Sequence, residues 1–364
     1  MPTINQRVDE ALTKHDLALI RYANGRAKDA IGDISKLQTE LLDLIKKAEP
    51  KSKQRLEGLL ERVNDAIDNA YSAIATKSVQ GFQQLAVSES EAVSAISRQV
   101  FKAPIAPNII GNDVALEIVE TGLAPNTRNG LPIRQRWTRQ RDGLKSNTKD
   151  ALNYAIQNNQ SLDDMLSIIR GNRNLGYRDG VVFKNKRGAE TLIRTATDTV
   201  VNSSRLASYK KNSKTIRGIQ ANAVLDNRTS LLCRTRNGWA WHLDTGKPFR
   251  GTPQSFMGPP PWHFNCRTTL APIFKSLEDL QGVVDPVLND AIVKANKNLS
   301  VDGKPAPIPS FRKTIEGMSV KEQEKILGKG RFDLYKKGKI TLSDLVNQEG
   351  KTLTLSELRE LYGT

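Results

Sequence analysis

The chain has 364 residues, 38% hydrophobic and 5% aromatic, enough for two or three domains and a sizeable core. No apolar run reaches the roughly eighteen residues of a membrane span, the first dozen residues are too polar and acidic for a signal peptide, and two cysteines make no disulfide framework. The net charge of +16 points toward an acidic partner, and the cysteine usage toward a reducing cytoplasm.

The expected fold is mainly α, with an N-terminal helical hairpin or coiled-coil arm and a small α+β unit near the C-terminus. Residues 1–103 read as the arm. Ile20, Ala23, Ala27, Ala30, Ile34, Leu37, Leu41, Leu44 and Ala48 alternate spacings of three and four, as in a coiled-coil seam. Leu56, Leu60, Val63, Ile67, Ala70 and Ile74 resume the pattern beyond Pro50. The short connection at 49–52 makes the two helices antiparallel neighbours. A third helix is predicted over 79–102, ending before Pro104 and Pro107. His15 reads as an incidental surface residue.

Residues 104–132 form a linker with one helical piece near 114–121. A basic core follows over 133–275. Residues 126–275 hold 26 Lys and Arg against 9 Asp and Glu, while the flanks are close to balanced. Such a block either forms a solvated surface or meets nucleic acid or an acidic protein ring. Arg134, Arg136, Arg139 and Arg141, with Lys145, surround Trp137. That set could grip phosphates and stack on bases, or Trp137 could pack a helix face fringed by arginines. Helices are predicted over 148–157 and 162–169, the second capped by Ser161 and Asp164. Residues 171–188 read as a glycine-rich loop bearing Arg173, Arg178, Lys184, Lys186 and Arg187. No Gly-Lys-Ser/Thr follows, which rules out a nucleotide-triphosphate loop. A helix over 188–211 presents Leu192, Ala196, Val200 and Ala207 on one face, and Arg194, Asp198, Asn202 and Arg205 on a polar one.

Both cysteines, two of three histidines and three of four tryptophans fall within residues 226–273. Gly258 and Pro259-Pro260-Pro261 exclude helix there. A strand running through 223–225, a hairpin turn at Asn237-Gly238 and a last strand over 267–273 make a cross-tied β unit. Cys233 with His263-x-x-Cys266 offers two sulfurs and an imidazole, donors that suit zinc. Asp226, His242 or water could supply the fourth ligand, or the cysteines could pack as free thiols. A thiol nucleophile beside His263 is the enzymatic alternative. Carboxylates are too sparse for a metal-dependent nuclease: only Asp226 and Asp244 lie between residues 220 and 275.

The order Asp226-x-Arg228-Thr229-Ser230, Cys233, Gly238, Pro260-Pro261-x-His263-x-x-Cys266-Arg267 resembles the phage minor head proteins, also called Mu F-like head morphogenesis proteins. Arg194-Thr195 opening a helix, Ile326-Leu327-Gly328-Lys329-Gly330-Arg331, Lys337-Gly338-Lys339 and Leu353-Thr354-Leu355 fit the same family over residues 130–364. The resemblance implies a non-enzymatic virion protein, assembled in the host cytoplasm at the portal vertex of a phage head. It acts in procapsid assembly and in DNA packaging or delivery. Portal, capsid or scaffold proteins and packaged DNA are the implied partners. A DNA-binding protein ejected with the genome is the closest alternative. The remaining residues, 276–364, read as a helical tail with a proline-rich linker at 301–309, and 277–296 as helix, with Pro286 a point where it could break.

Overall fold

A computed structural model describes residues 3–48, 53–121, 131–225, 228–296, 300–306, 315–345 and 353–362. Two long helices set its frame, α1 (Ile4–Ala48) and α2 (Lys53–Phe101). They run antiparallel. Tyr22 donates to the Gly81 carbonyl, Arg26 to that of Lys77, and Lys77 pairs with Asp33 at 3.1 Å. The connection at 49–52 lies outside the described residues.

The seam is as predicted at Ala23, Ala27, Ala30, Ile34, Leu37 and Leu41, but Leu19 and Ile45 are buried where Ile20 and Leu44 were expected. Other helices also pack on this pair, so the apolar stripe is wider than a two-helix seam. The predicted third helix is the second half of α2. The apolar spacing lapses near residue 76, but no glycine or proline stands there to end the helix.

Helices α3 (Asn112–Glu120), α4 (Ile133–Gln157), α5 (Leu162–Arg170) and α6 (Val181–Lys211) complete the bundle. Trp137 of α4 is buried and meets Tyr71 of α2 edge-on, ring centroids 6.2 Å apart. It is a packing residue and offers no surface for a base. The basic stretch 134–145 lies within α4, which starts well before the predicted 148. Ser161 and Asp164 form the predicted capping box. The glycine-rich loop spans only 171–180. A Cβ at Gly171 would meet the Tyr177 carbonyl oxygen at 2.5 Å, and one at Gly180 that of Arg170 at 2.5 Å. These glycines let the loop's two ends touch; they make no phosphate cradle. Lys184, Lys186 and Arg187 therefore belong to α6.

The sheet has the order β2-β1-β3, all antiparallel: β1 (Ile216–Ala223), β2 (Ala240–His242) and β3 (Thr268–Phe274). Between β1 and β2 stands a six-residue helix, α7 (Leu231–Arg236), so Asn237-Gly238 turns a helix into a strand rather than closing a hairpin. The last strand returns beside β1 as expected. Its other edge is covered by side chains. Asn202 of α6 donates to Thr268 O at 3.0 Å and accepts from Leu270 N at 2.9 Å, while Asn5 of α1 accepts from Phe274 N at 3.0 Å. Two amides thus take the place of a missing strand and close an edge that would otherwise pair with another chain.

The expected polar face of α6 is consequently buried at Asp198, Asn202 and Arg205, while Arg194 stays partly exposed beside Glu190. Arg205 has no exposed surface and bonds Glu89 of α2 and Asp16 of α1, each at 2.6 Å, and the Leu270 carbonyl of β3 at 3.2 Å. His15, expected on the surface, reaches Glu89 at 2.8 Å, and Thr269 donates to Asp16 at 2.7 Å. This network joins α1, α2, α6 and β3, so residues 4–101 share the core of the basic section rather than standing off it as an arm.

Two apolar cores result, both served by α1, α2 and α6. One fills the bundle; the other surrounds the sheet with Ile4, Val8, Phe101, Tyr209, Cys233, Trp241, Cys266 and Phe274. A third gathers Ile315, Leu327, Phe332, Leu345 and Leu358 of the tail. Leu231 of α7 packs on that tail core, while its neighbours Leu232 and Cys233 sit in the sheet core. The helix expected over 277–296 is two, Leu277–Leu280 and Pro286–Ala295, separated by a turn, with Pro286 in the first turn of the second behind an Asp285 cap. The described part of the 301–309 segment is packed as well: Gln220 donates to Ala306 O at 2.9 Å and Asn5 to Lys304 O at 2.9 Å. Residues 307–309 lie outside the described residues. No described helix is long and apolar enough to cross a membrane.

Candidate metal centre and basic cleft

Ser230 caps α7 by accepting from Cys233 N, which aims the Cys233 side chain into the sheet core. From the other side come residues 258–266, with a cis bond between Pro260 and Pro261. His263 to Cys266 is a tight turn. Cys266 N donates to His263 O at 3.2 Å, and Asn265 takes the left-handed conformation with φ 58°. The His-x-x-Cys spacing therefore places both side chains on one side of the turn. Asn265 N donates to Thr195 Oγ1 of α6 at 3.1 Å, which anchors it.

The three expected donors converge. Cys233 Sγ lies 3.0 Å from His263 Nε2 and 3.5 Å from Cys266 Sγ, and all three donor atoms fall within 4.8 Å of one another. Two sulfurs on a tetrahedral zinc lie ~3.8 Å apart, so this triangle has the size of a metal site. His263 Nδ1 sits 2.8 Å from the Phe264 carbonyl oxygen. A carbonyl can only accept, so Nδ1 carries the proton and Nε2 turns its lone pair toward the sulfurs and Ser230 Oγ, 2.8 Å away. A backbone carbonyl that fixes the imidazole tautomer in this way is the usual support of a metal-bound histidine.

Asp226 lies outside the described residues, and His242 is stacked on Phe249 with ring centroids 4.0 Å apart. A different carboxyl stands near the cluster. Asp198 of α6 is buried, its Oδ2 has no hydrogen-bond partner among the described residues, and burial together with the Cys266 thiol pushes its pKa well up. Sequence reasoning missed it because its place on α6 looked solvent-facing. Hydrogen bonding to Cys266 holds the Cys233 thiol below its ordinary range, while burial pushes the Cys266 thiol up. Arg236, buried and stacked 4.7 Å from the Trp262 ring and 5.6 Å from that of Trp239, is drawn down to about 10 by burial. It supplies positive charge next to the sulfurs. The cluster could hold a metal ion.

The basic residues sort into separate groups. Arg136 and Arg139 of α4 and Arg187 of α6 line a single cleft of about 390 Å3, together with Gln140, Thr191 and the exposed Phe264. Arg141 and Lys145 are instead held by Asp68 of α2, at 3.4 and 2.5 Å. Lys186 donates to Gln38 at 2.7 Å. Arg134 and Lys184 are exposed on their helices, and Arg173 and Arg178 on the 171–180 loop; none of the four lines the cleft. No protein-family model, curated protein or solved structure matches the chain.

Proposed function

We propose that this chain is a minor head protein of a tailed phage, acting at the portal vertex in procapsid assembly, with its basic middle section turned toward a polyanion. The observation that carries the reading is the ordered series from Arg228 to Arg267, together with the tail motif Gly328-Lys329-Gly330-Arg331. The meeting of Cys233, His263 and Cys266 supports treating that series as one unit.

Within it, the cluster serves as a zinc clip that ties α7 to the turn leading into β3. Zinc would bind through the two sulfurs and His263 Nε2, contributing a cross-link between chain segments about thirty residues apart. Cys233 and Cys266 are 2% and 3% exposed, which supports a structural tie over a thiol nucleophile.

The test is co-expression with the portal and scaffold proteins of the same phage. The chain should co-sediment with portal rings and with procapsids. Absence from both would overturn the assignment. Elemental analysis of the purified chain should find about one zinc per molecule, and none in Cys233→Ser/Cys266→Ser protein.

A further inference from the structure

The cleft between α4 and α6 is built differently from the adjoining Arg141 and Lys145 pair on α4. Arg139 and Arg187 have no carboxylate partner among the described residues, whereas Arg141 and Lys145 do. Arg136 is half-buried beside Arg139, two like charges held together at the cleft wall. At the rim stands Phe264, 52% exposed although it lies between His263 and Asn265, both tied down. Three guanidiniums and one presented aromatic face line about 390 Å3.

That set matches the parts of a nucleotide. Guanidiniums take phosphate oxygens, and an aromatic ring stacks on a base of any sequence. A duplex has its bases already stacked, and the cleft is nucleotide-sized. We propose that this cleft binds one unpaired nucleotide of a nucleic-acid strand, its phosphate held by Arg136, Arg139 and Arg187 and its base stacked on Phe264. The proposal rests on the reading that the basic section meets a polyanion, and it names that polyanion as nucleic acid with an unpaired base.

Fluorescence anisotropy of the full chain with a labelled twenty-nucleotide oligo-dT, and with its duplex, tests this. The single strand should bind more tightly than the duplex. Phe264→Ala should weaken the single strand about tenfold and the duplex little. Arg139→Ala/Arg187→Ala should lower affinity and make the salt dependence shallower by about one ion. Arg173→Ala/Arg178→Ala removes equal charge from the neighbouring loop and should cost far less. Circular dichroism and melting of each variant show that it is folded. Equal losses in the two double variants would mean that total charge binds the strand, and would overturn the site. So would a Phe264→Ala protein with unchanged single-strand affinity, or a polyglutamate that competes as well as oligo-dT. Portal co-sedimentation of the same variants separates the two readings: a chain that joins portal rings yet ignores oligo-dT defeats the cleft and leaves the head-protein assignment standing.

Discussion

The bundle end and the sheet end of this molecule are held together by different chemistry, although the same long helices run through both. At the bundle end α1 and α2 meet through Ile34, Leu37, Leu41, Leu59, Val63 and Ile67, and stability comes from apolar area withdrawn from water. At the sheet end the same helices contribute Asp16 and Glu89, which close on Arg205, and His15, which bonds Glu89. Apolar packing tolerates changes of pH and salt and adapts to changes of shape. A buried ion network fixes one geometry and fails badly when one member is lost. The sheet end is the one that must hold Cys233, His263 and Cys266 in register.

Removing the central cation should test this contrast most severely. Arg205→Met leaves two carboxylates buried without their partner and should cost about 3–5 kcal/mol in urea unfolding. A loss under about 1 kcal/mol would mean that the network contributes no more than a surface pair. Leu41→Ala, at the other end, should cost about 2–5 kcal/mol through the cavity it leaves. That loss should be the same at pH 4.5 and pH 7; a pH-dependent one would show that the two ends are not separable in this way.

Zinc sharpens the comparison from the other side. If the cluster binds it, saturation at about a hundred times Kd should stabilise the chain by about 2.7 kcal/mol, and EDTA should reverse the gain. In hydrogen exchange the added protection should fall on β3 and α7, with the α4–α5 region little changed. Protection spread evenly over the chain would count against a local clip.

The smallest effect concerns pH, where two carboxyls at the sheet end act in opposite directions. Burial opposes ionisation of Glu89, yet Arg205 and His15 hold it below the ordinary carboxylate range. Its contribution is complete above the unfolded pKa and is lost as pH falls through the folded value. Asp9 is raised to about 6, chiefly by burial. Its contribution is present below the ordinary carboxylate pKa and is lost as pH rises from about 4 to about 6. Asp9→Asn should flatten the stability profile across that window, with a gain of about 1 kcal/mol at pH 7. An unchanged slope would remove Asp9 from the account.

The bundle end was legible because its signal is periodic: Ala23 to Leu41 and Leu56 to Ile74 announce helices by spacing alone. The cluster was legible for another reason, the gathering of rare residue types with a His-x-x-Cys turn. The buried network was read as solvent-facing because Asp198, Asn202 and Arg205 look polar on any helical wheel. A signal did exist. Asp16 falls between Leu12 and Leu19, and Glu89 between Ala86 and Val93, on the buried stripes of their helices. Charges placed on an apolar stripe imply a partner across the interface. The cleft was invisible as a site because Arg136, Arg139, Arg187 and Phe264 come from three separate segments, and only the packing of α4 on α6 beneath the His263–Cys266 turn assembles them.

Helix α7 has a consequence that follows from belonging to two cores at once. Leu231 is held by the tail, while Cys233 is held by the sheet and faces the donor triangle. Six residues are too few for one end to shift while the other stays put. Were a metal ion held by that triangle, tail docking and ion binding would act on the same short helix. Thermodynamic reciprocity would then make each change the other's affinity by the same factor.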